Sequence, residues 1–228
     1  MLSLCLTNYN RYELLINSFS RVRADDRIKE IVISDDCSDP DLYDNLVNYF
    51  SGMPKVKLFR NEENIGMSRN KAKAIELATY PYCLIFDSDN ILDTDYLDAL
   101  FSFNWEPNRI FMPSAALPKF DFRQYEHLIF NKDNAKNHIG EPMFEVMLNT
   151  SNYVVPRDEY LKAYKYDPSI KESDTIYFSK LWLEAGNSFF VVPGMTYHHL
   201  VHENSGWLKN HAYNMVKADE IKEQIRRL

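Results

Sequence analysis

The sequence predicts an α/β fold with a mostly parallel, twisted central sheet and helices on both faces. Three observations carry that expectation. Short apolar runs alternate with segments of helical periodicity through the first ~100 residues, joined by short connections. Each of the first four runs ends abruptly in polar side chains, which arbitrary loops would rarely do four times. The chain of 228 residues, with 15 Tyr and 14 Phe, is long and apolar enough to bury a sizeable core and is not disordered.

Taken in order, Leu2 to Leu6 is the first run, broken by Thr7-Asn8-Tyr9-Asn10. Leu15, Phe19 and Val22 then recur at helical spacing. Ile31-Val32-Ile33 ends in Ser34-Asp35-Asp36-Cys37-Ser38-Asp39, and Pro40 opens a helix carrying Leu42, Leu46 and Tyr49. Val56 to Phe59 runs into Arg60-Asn61-Glu62-Glu63-Asn64-Ile65-Gly66, with a helix from near Ser68 burying Ala72, Ile75 and Leu77. Leu84-Ile85-Phe86, the fourth run, ends in Asp87-Ser88-Asp89-Asn90. A helix over Asp95 to Phe103 and a strand at Ile110 to Met112 follow.

From about Pro113 to Thr150 the periodicity fades, so this stretch reads as a functional or mobile segment, with a helix around Tyr125 to Phe130 as the alternative. Tyr153 to Val155 resumes as a strand and Arg157 to Tyr164 as a helix. Lys171-Glu172-Ser173-Asp174 introduces a helix that buries Phe178, Leu181, Trp182 and Ala185 and closes at Gly186. Ser173 or Asp174 would serve as its N-cap. Phe189 to Val192 and Met195 to His199 read as two strands. The last ~18 residues form an amphipathic helix with Tyr213, Val216, Ile221 and Ile225 on one face. It would pack on the body or serve as the interface of a homo-oligomer.

The net charge of −7 argues against a nucleic-acid binder, because a phosphate-reading surface needs excess Lys and Arg. Cys5, Cys37 and Cys83 have neither C-x-x-C nor zinc spacing, so reduced thiols in a reducing compartment are expected. No apolar run approaches a membrane span, and the opening residues lack the basic and apolar regions of a signal peptide, so no signal or transit segment is expected before the first strand. The expected location is the cytoplasm, with peripheral membrane attachment left open.

The chemistry concentrates at Asp87-Ser88-Asp89. Two acids one residue apart at the end of a buried strand offer hard oxygens to Mg²⁺ or Mn²⁺, which bind few protein carboxylates and complete their shell with phosphate and water. Asp and Asn after a strand can equally turn the chain and cap the next helix.

Four motifs in this order resemble family 2 glycosyltransferases of the GT-A fold. They are Leu4-Cys5-Leu6-Thr7-Asn8-Tyr9-Asn10-Arg11, Val32-Ile33-Ser34-Asp35-Asp36-Cys37-Ser38-Asp39, Asn64-Ile65-Gly66-Met67-Ser68-Arg69-Asn70 and the D-x-D at Asp87-Ser88-Asp89. The resemblance is close over residues 2 to 103 and looser over 150 to 207. It implies a single domain with a nucleotide-binding half (1–103), an acceptor and catalytic half (104–207) and a C-terminal helix (208–228). It also implies transfer of a sugar from a nucleotide donor to a hydroxyl of a glycan or glycoconjugate, such as a bacterial or viral surface glycan, with Mn²⁺ or Mg²⁺.

In that reading Thr7 and Tyr9 contact the base, and Asp36 accepts the imide N–H of uracil, favouring a UDP-sugar. Arg69 faces ribose or phosphate, and Arg11, Asn64 and Ser88 complete the nucleotide-binding set. Asp87 holds ribose or a metal water, and Asp89 is the direct metal ligand. The family's general base lies in a Glu-Asp pair near the start of a late helix. Here the segment is Glu172-Ser173-Asp174, with Asp174 favoured by helical register and Glu172 in reserve. The base would deprotonate the acceptor and invert the anomeric carbon, with a retaining outcome through a different arrangement as the alternative. His198 or His199 would add a metal ligand. His202 belongs to the same cluster, and Asn204-Ser205-Gly206-Trp207 reads as a loop closing over the donor. A hydrogen-bonding role in a lid is the alternative for the histidines. Against a Rossmann dehydrogenase, no G-x-G-x-x-G follows the first strand. A pyrophosphorylase would want a Gly-rich loop there. An inactive nucleotide- or partner-binding module and a metal-dependent phosphohydrolase stay open.

Overall fold

A computed structural model describes residues 1–200 and 210–228. Its opening strands are β1 (Leu2–Asn8), β2 (Ile28–Asp35), β3 (Val56–Arg60) and β4 (Tyr82–Asp87). They are separated by α1 (Tyr12–Ser18), α2 (Pro40–Phe50) and α3 (Met67–Leu77). All four are parallel, in the order β3-β2-β1-β4. Leu4 and Leu6 on one face of β1 are buried, and so are Ser3 and Cys5 on the other. That pattern requires a covering layer on each side. The chain moves outward from β1 to β3 and returns beside β1 for β4, so the winding reverses between β1 and β4. In open α/β sheets, the crevice beyond the strand ends at such a reversal is where ligands bind. Thr7 to Tyr9 and Asp87 to Asp89 open onto it.

Beyond β4 come α4 (Thr94–Phe101), β5 (Arg109–Leu117), β6 (Phe120–Asp121), β7 (Ile129–Phe130), α5 (Pro142–Leu148) and β8 (Val154–Pro156). The chain continues with α6 (Arg157–Ala163), α7 (Asp174–Glu184), β9 (Ser188–His198) and α8 (His211–Arg226). The sheet extends as β4-β8-β5-β9-β7, with β6 paired to β5. Because β8 runs antiparallel to β4, its beginning lies at the ligand rim. The residues just before it are therefore delivered to the site.

Several expectations are corrected. Residues 113–150 are well structured: they hold the end of β5, β6, β7, α5 and short 3₁₀ turns at Arg123–Tyr125 and Ala135–His138. No helix spans Tyr125 to Phe130. Buried aromatics order the segment singly rather than at a regular period, as when Phe130 stacks on Phe189 and meets Phe144 edge-on. The two strands expected over 189–199 are one strand, β9, whose partner register shifts between Pro113 and Ala115. Gly194, at φ +71°, accommodates that irregularity. In α7 it is Leu183 rather than Ala185 that is buried, because the helix is enclosed on most of its circumference. The buried stripe of α8 is Asn214, Ala218, Ile221 and Ile225, which packs toward α7, whereas Tyr213 and Val216 face outward. No helix among the described residues is long and apolar enough to cross a membrane.

Candidate active site

The β1–β2 side of the crevice is built around two adjacent acids with different tasks. Asp35 is fully buried. It accepts Asn8 Nδ2 at 2.8 Å, Ser38 Oγ at 2.5 Å and the Ser38 amide at 2.9 Å, tying the loop after β2 to the end of β1. Asp36 reaches sideways and accepts the amides of Ile65 and Gly66 at 2.8 and 2.9 Å and Asn61 Nδ2 at 3.0 Å. The loop before α3 is thus hung on one carboxylate. Gly66, at φ +84°, turns that loop into the helix in a backbone conformation that favours glycine. Asn64 Oδ1 also accepts the Gly66 amide. Tyr9, 50% exposed, leaves a ring face for a ligand, and Thr7 is half-buried beside it.

Arg69 lies on the flank of this region. Its guanidinium sits 5.3 Å from the Tyr166 ring, and it lines a cleft of about 520 Å³ with Asn61, Ile65, Tyr164 and Tyr166. That cleft adjoins the Asp36 loop rather than covering the acids at the end of β4.

Those acids meet a residue that the sequence did not single out. Lys71, buried on α3, places its Nζ 3.1 Å from Asp174 Oδ2, 3.5 Å from Asp87 Oδ1 and 2.8 Å from Ser151 Oγ. Ser151 in turn pairs with Thr175 Oγ1 at 2.8 Å. One ammonium therefore joins the end of β4, the start of α7 and the segment before β8. Burial pulls the Lys71 pKa down, but Asp174 and Asp87 outweigh it, and the group is held charged well above the ordinary lysine range. Burial pushes Asp87 up; Lys71 opposes that shift, while the charges of Asp89 and Asp174 add to it. Asn152, in the left-handed region at φ +73°, accepts the Asp87 amide through its side chain at 2.7 Å, and its own carbonyl accepts Tyr96 Oη at 2.7 Å. Together these bonds fix the β4 terminus.

Of the two acids at the start of α7, Asp174 (6% exposed) stands in this cluster. Glu172 does not: it accepts Asn210 Nδ2 at 3.0 Å, facing the start of α8. Ser88 is buried in the turn after β4. Asp89 pairs with Arg11 at 2.6 Å. His198 Nε2 lies 3.0 Å from Asp93 Oδ2, and the His199 ring packs near Phe120 and Tyr197. Among the described residues no three His, Cys, Asp or Glu side chains converge as a metal cage. His202 and the Asn204 to Trp207 segment lie outside the described residues. Lys71, Ser151, Asn152 and Thr175 were not expected from the sequence. The polar Ser151-Asn152 pair directly before an apolar run was the one available signal.

The profile of glycosyl transferase family 2 matches residues 3–164. An abequosyltransferase, RfbV, of Salmonella typhimurium is 31% identical over 109 residues, which is 44% of this chain and 31% of that protein. An uncharacterized protein, y4gI, of Sinorhizobium fredii is 37% identical over 86 residues, 37% of this chain and 10% of that protein. The chain thus spans a third or less of these curated relatives. The structure of S. aureus TarS 1-349 in complex with UDP-GlcNAc superposes with a TM-score of 0.72 at 16% identity, covering 99% of this chain and 70% of that one. TarS 1-349 in complex with UDP gives 0.68 over 99% and 69%. The fold is GT-A, and the chain belongs to glycosyl transferase family 2.

Proposed function

We propose that this chain is a glycosyltransferase that moves a sugar from a nucleotide donor, a UDP-sugar in the favoured form, to an acceptor hydroxyl of a glycan or glycoconjugate. The observation that carries the reading is the sharing of Lys71 by Asp87 and Asp174. It sets an acid of the donor rim beside an acid at the start of the late helix, and a direct displacement at a sugar carbon needs both. The structural neighbour solved with UDP-GlcNAc and the abequosyltransferase relative support a nucleotide-sugar donor.

The nucleotide would lie across the β1–β4 crevice, with Tyr9 offering a ring face to the base. Asp36 holds the 61–66 loop and, through the remaining capacity of its Oδ2, can still accept a ligand N–H. Asp174 would take the proton of the acceptor hydroxyl as that oxygen attacks the anomeric carbon opposite the diphosphate. The C–O bond to the acceptor forms as the bond to UDP breaks, and the configuration inverts.

Asp87 and Asp89 suit a divalent cation by donor chemistry: two hard carboxylates at a strand end, with room left for diphosphate oxygens. Such a cation would neutralise the charge that develops on the leaving diphosphate. Arg11 now holds Asp89 and would turn to the diphosphate in the loaded site.

The test is transfer from a panel of UDP-sugars by wild type and by Asp174→Asn. Transfer by wild type alone, with UDP still bound by the variant, is the expected result. Equal transfer by the variant would move the base elsewhere. Nucleotide binding without transfer from any donor would favour an inert binding module, and release of phosphate from UDP itself would favour a phosphohydrolase.

A further inference from the structure

The role of Lys71 extends the reading above and rests on it. A buried ammonium within 3.5 Å of two carboxylates from distant parts of the chain does more than neutralise charge. The contacted oxygens of Asp87 and Asp174 can be no further apart than those two contacts laid end to end, so one side chain bounds their separation. Lys71 projects from α3, which is anchored through Asn70: its Nδ2 donates to the Ser34 carbonyl at 2.9 Å, and its Oδ1 accepts Asn61 Nδ2 at 3.0 Å. The third contact of the ammonium, Ser151 Oγ, continues to Thr175 Oγ1, one residue past Asp174. The lysine and the hydroxyl pair therefore grip the first turn of α7 from two directions. Lys71 engages Oδ2 of Asp174, and among the described residues no group hydrogen-bonds Oδ1. That leaves one carboxylate oxygen to receive an acceptor proton.

We propose that Lys71 is a positioning residue for transfer: it aims the Asp174 carboxylate at the acceptor hydroxyl and fixes its distance from the donor rim at Asp87. Displacement of a reacting group by about 1 Å costs roughly 100-fold in rate, so the effect belongs in kcat. Lys71→Met, Lys71→Arg, Asp174→Asn and the double variant Lys71→Met with Asp174→Asn test this, with donor KM, kcat and UDP affinity measured for each. Lys71→Met is expected to lose roughly 100-fold in kcat with donor KM within about threefold of wild type. Lys71→Arg is expected to recover part of that loss, since a cation again bridges the acids. The double variant is expected to be no slower than Asp174→Asn alone, because both act through one unit. UDP affinity reports whether each variant keeps its fold. A Lys71→Met enzyme with near-wild-type kcat, or a double variant whose losses multiply, overturns the role of Lys71 while leaving the glycosyltransferase reading intact. A wild type inert with every donor overturns both.

Discussion

The two ends of the parallel sheet hold acids that are finished in different ways. At the end where the strands begin, Glu30 on β2 accepts Ser3 Oγ at 2.6 Å and the Thr79 amide at 2.5 Å through one oxygen, and Lys57 through the other. Burial would raise its pKa, but these donors outweigh burial and hold it below the ordinary glutamate value of 4.5. At the end where the strands finish, Asp87 and Asp174 share a single lysine, and Asp87 is raised rather than lowered. A saturated acid locks the fold. Acids short of donors keep oxygens for a ligand and a proton, and like charges gathered without full compensation mark a functional site. Asp36 stands between these cases: it sits at the ligand rim but is bonded like the structural acid, with three donors from the 61–66 loop.

This contrast can be broken residue by residue. Asp174→Asn should have the largest effect, lowering transfer by about 10²- to 10⁴-fold while UDP affinity in calorimetry stays near wild type. Asp89→Ala should abolish the Mn²⁺-dependent part of UDP binding, read as the loss of any difference between titrations with Mn²⁺ and with EDTA. An unchanged difference would remove Asp89 from the metal site. Asp36→Ala should cost about 2–3 kcal/mol of stability in urea denaturation and weaken nucleotide binding with it. Weakened binding at full stability would make Asp36 a ligand contact rather than a loop anchor.

Glu30→Gln should leave transfer untouched and cost about 1–3 kcal/mol at neutral pH. Since the folded pKa of Glu30 is depressed, its contribution is present above the unfolded value of 4.5. It fades as pH falls through the folded value. The gap between wild type and variant should therefore narrow in acid, and a gap independent of pH would contradict the ionic account.

Much of the crevice at the ends of β1, β2 and β4 was legible in the chain because each strand is a local apolar run with its polar terminus attached. Asp87-Ser88-Asp89 follows Leu84-Ile85-Phe86 directly, and the parallel β1–β4 register brings it beside Thr7. Lys71 was not legible. A lysine between Asn70 and Ala72 reads as the wet face of a helix, and only the packing of α7 against α3 turns it inward onto Asp174. Ser151 and Asn152 were hidden for a related reason: their place at the rim depends on β8 running antiparallel to β4, which its three residues do not announce. In α8 the apolar Tyr213 and Val216 suggest the inner face, yet the stripe that α7 covers passes through Asn214 and Ala218. Size and hydropathy pointed one way and the packing partner decided the other.

The most direct test of the account is calorimetric titration of wild type with UDP, GDP and CDP, each in Mn²⁺ and in EDTA. Binding of UDP that is strong in Mn²⁺ and lost in EDTA is the predicted result, with GDP and CDP weaker. No binding of any nucleotide under either condition would contradict the assignment of the β1–β4 crevice as a sugar-nucleotide site.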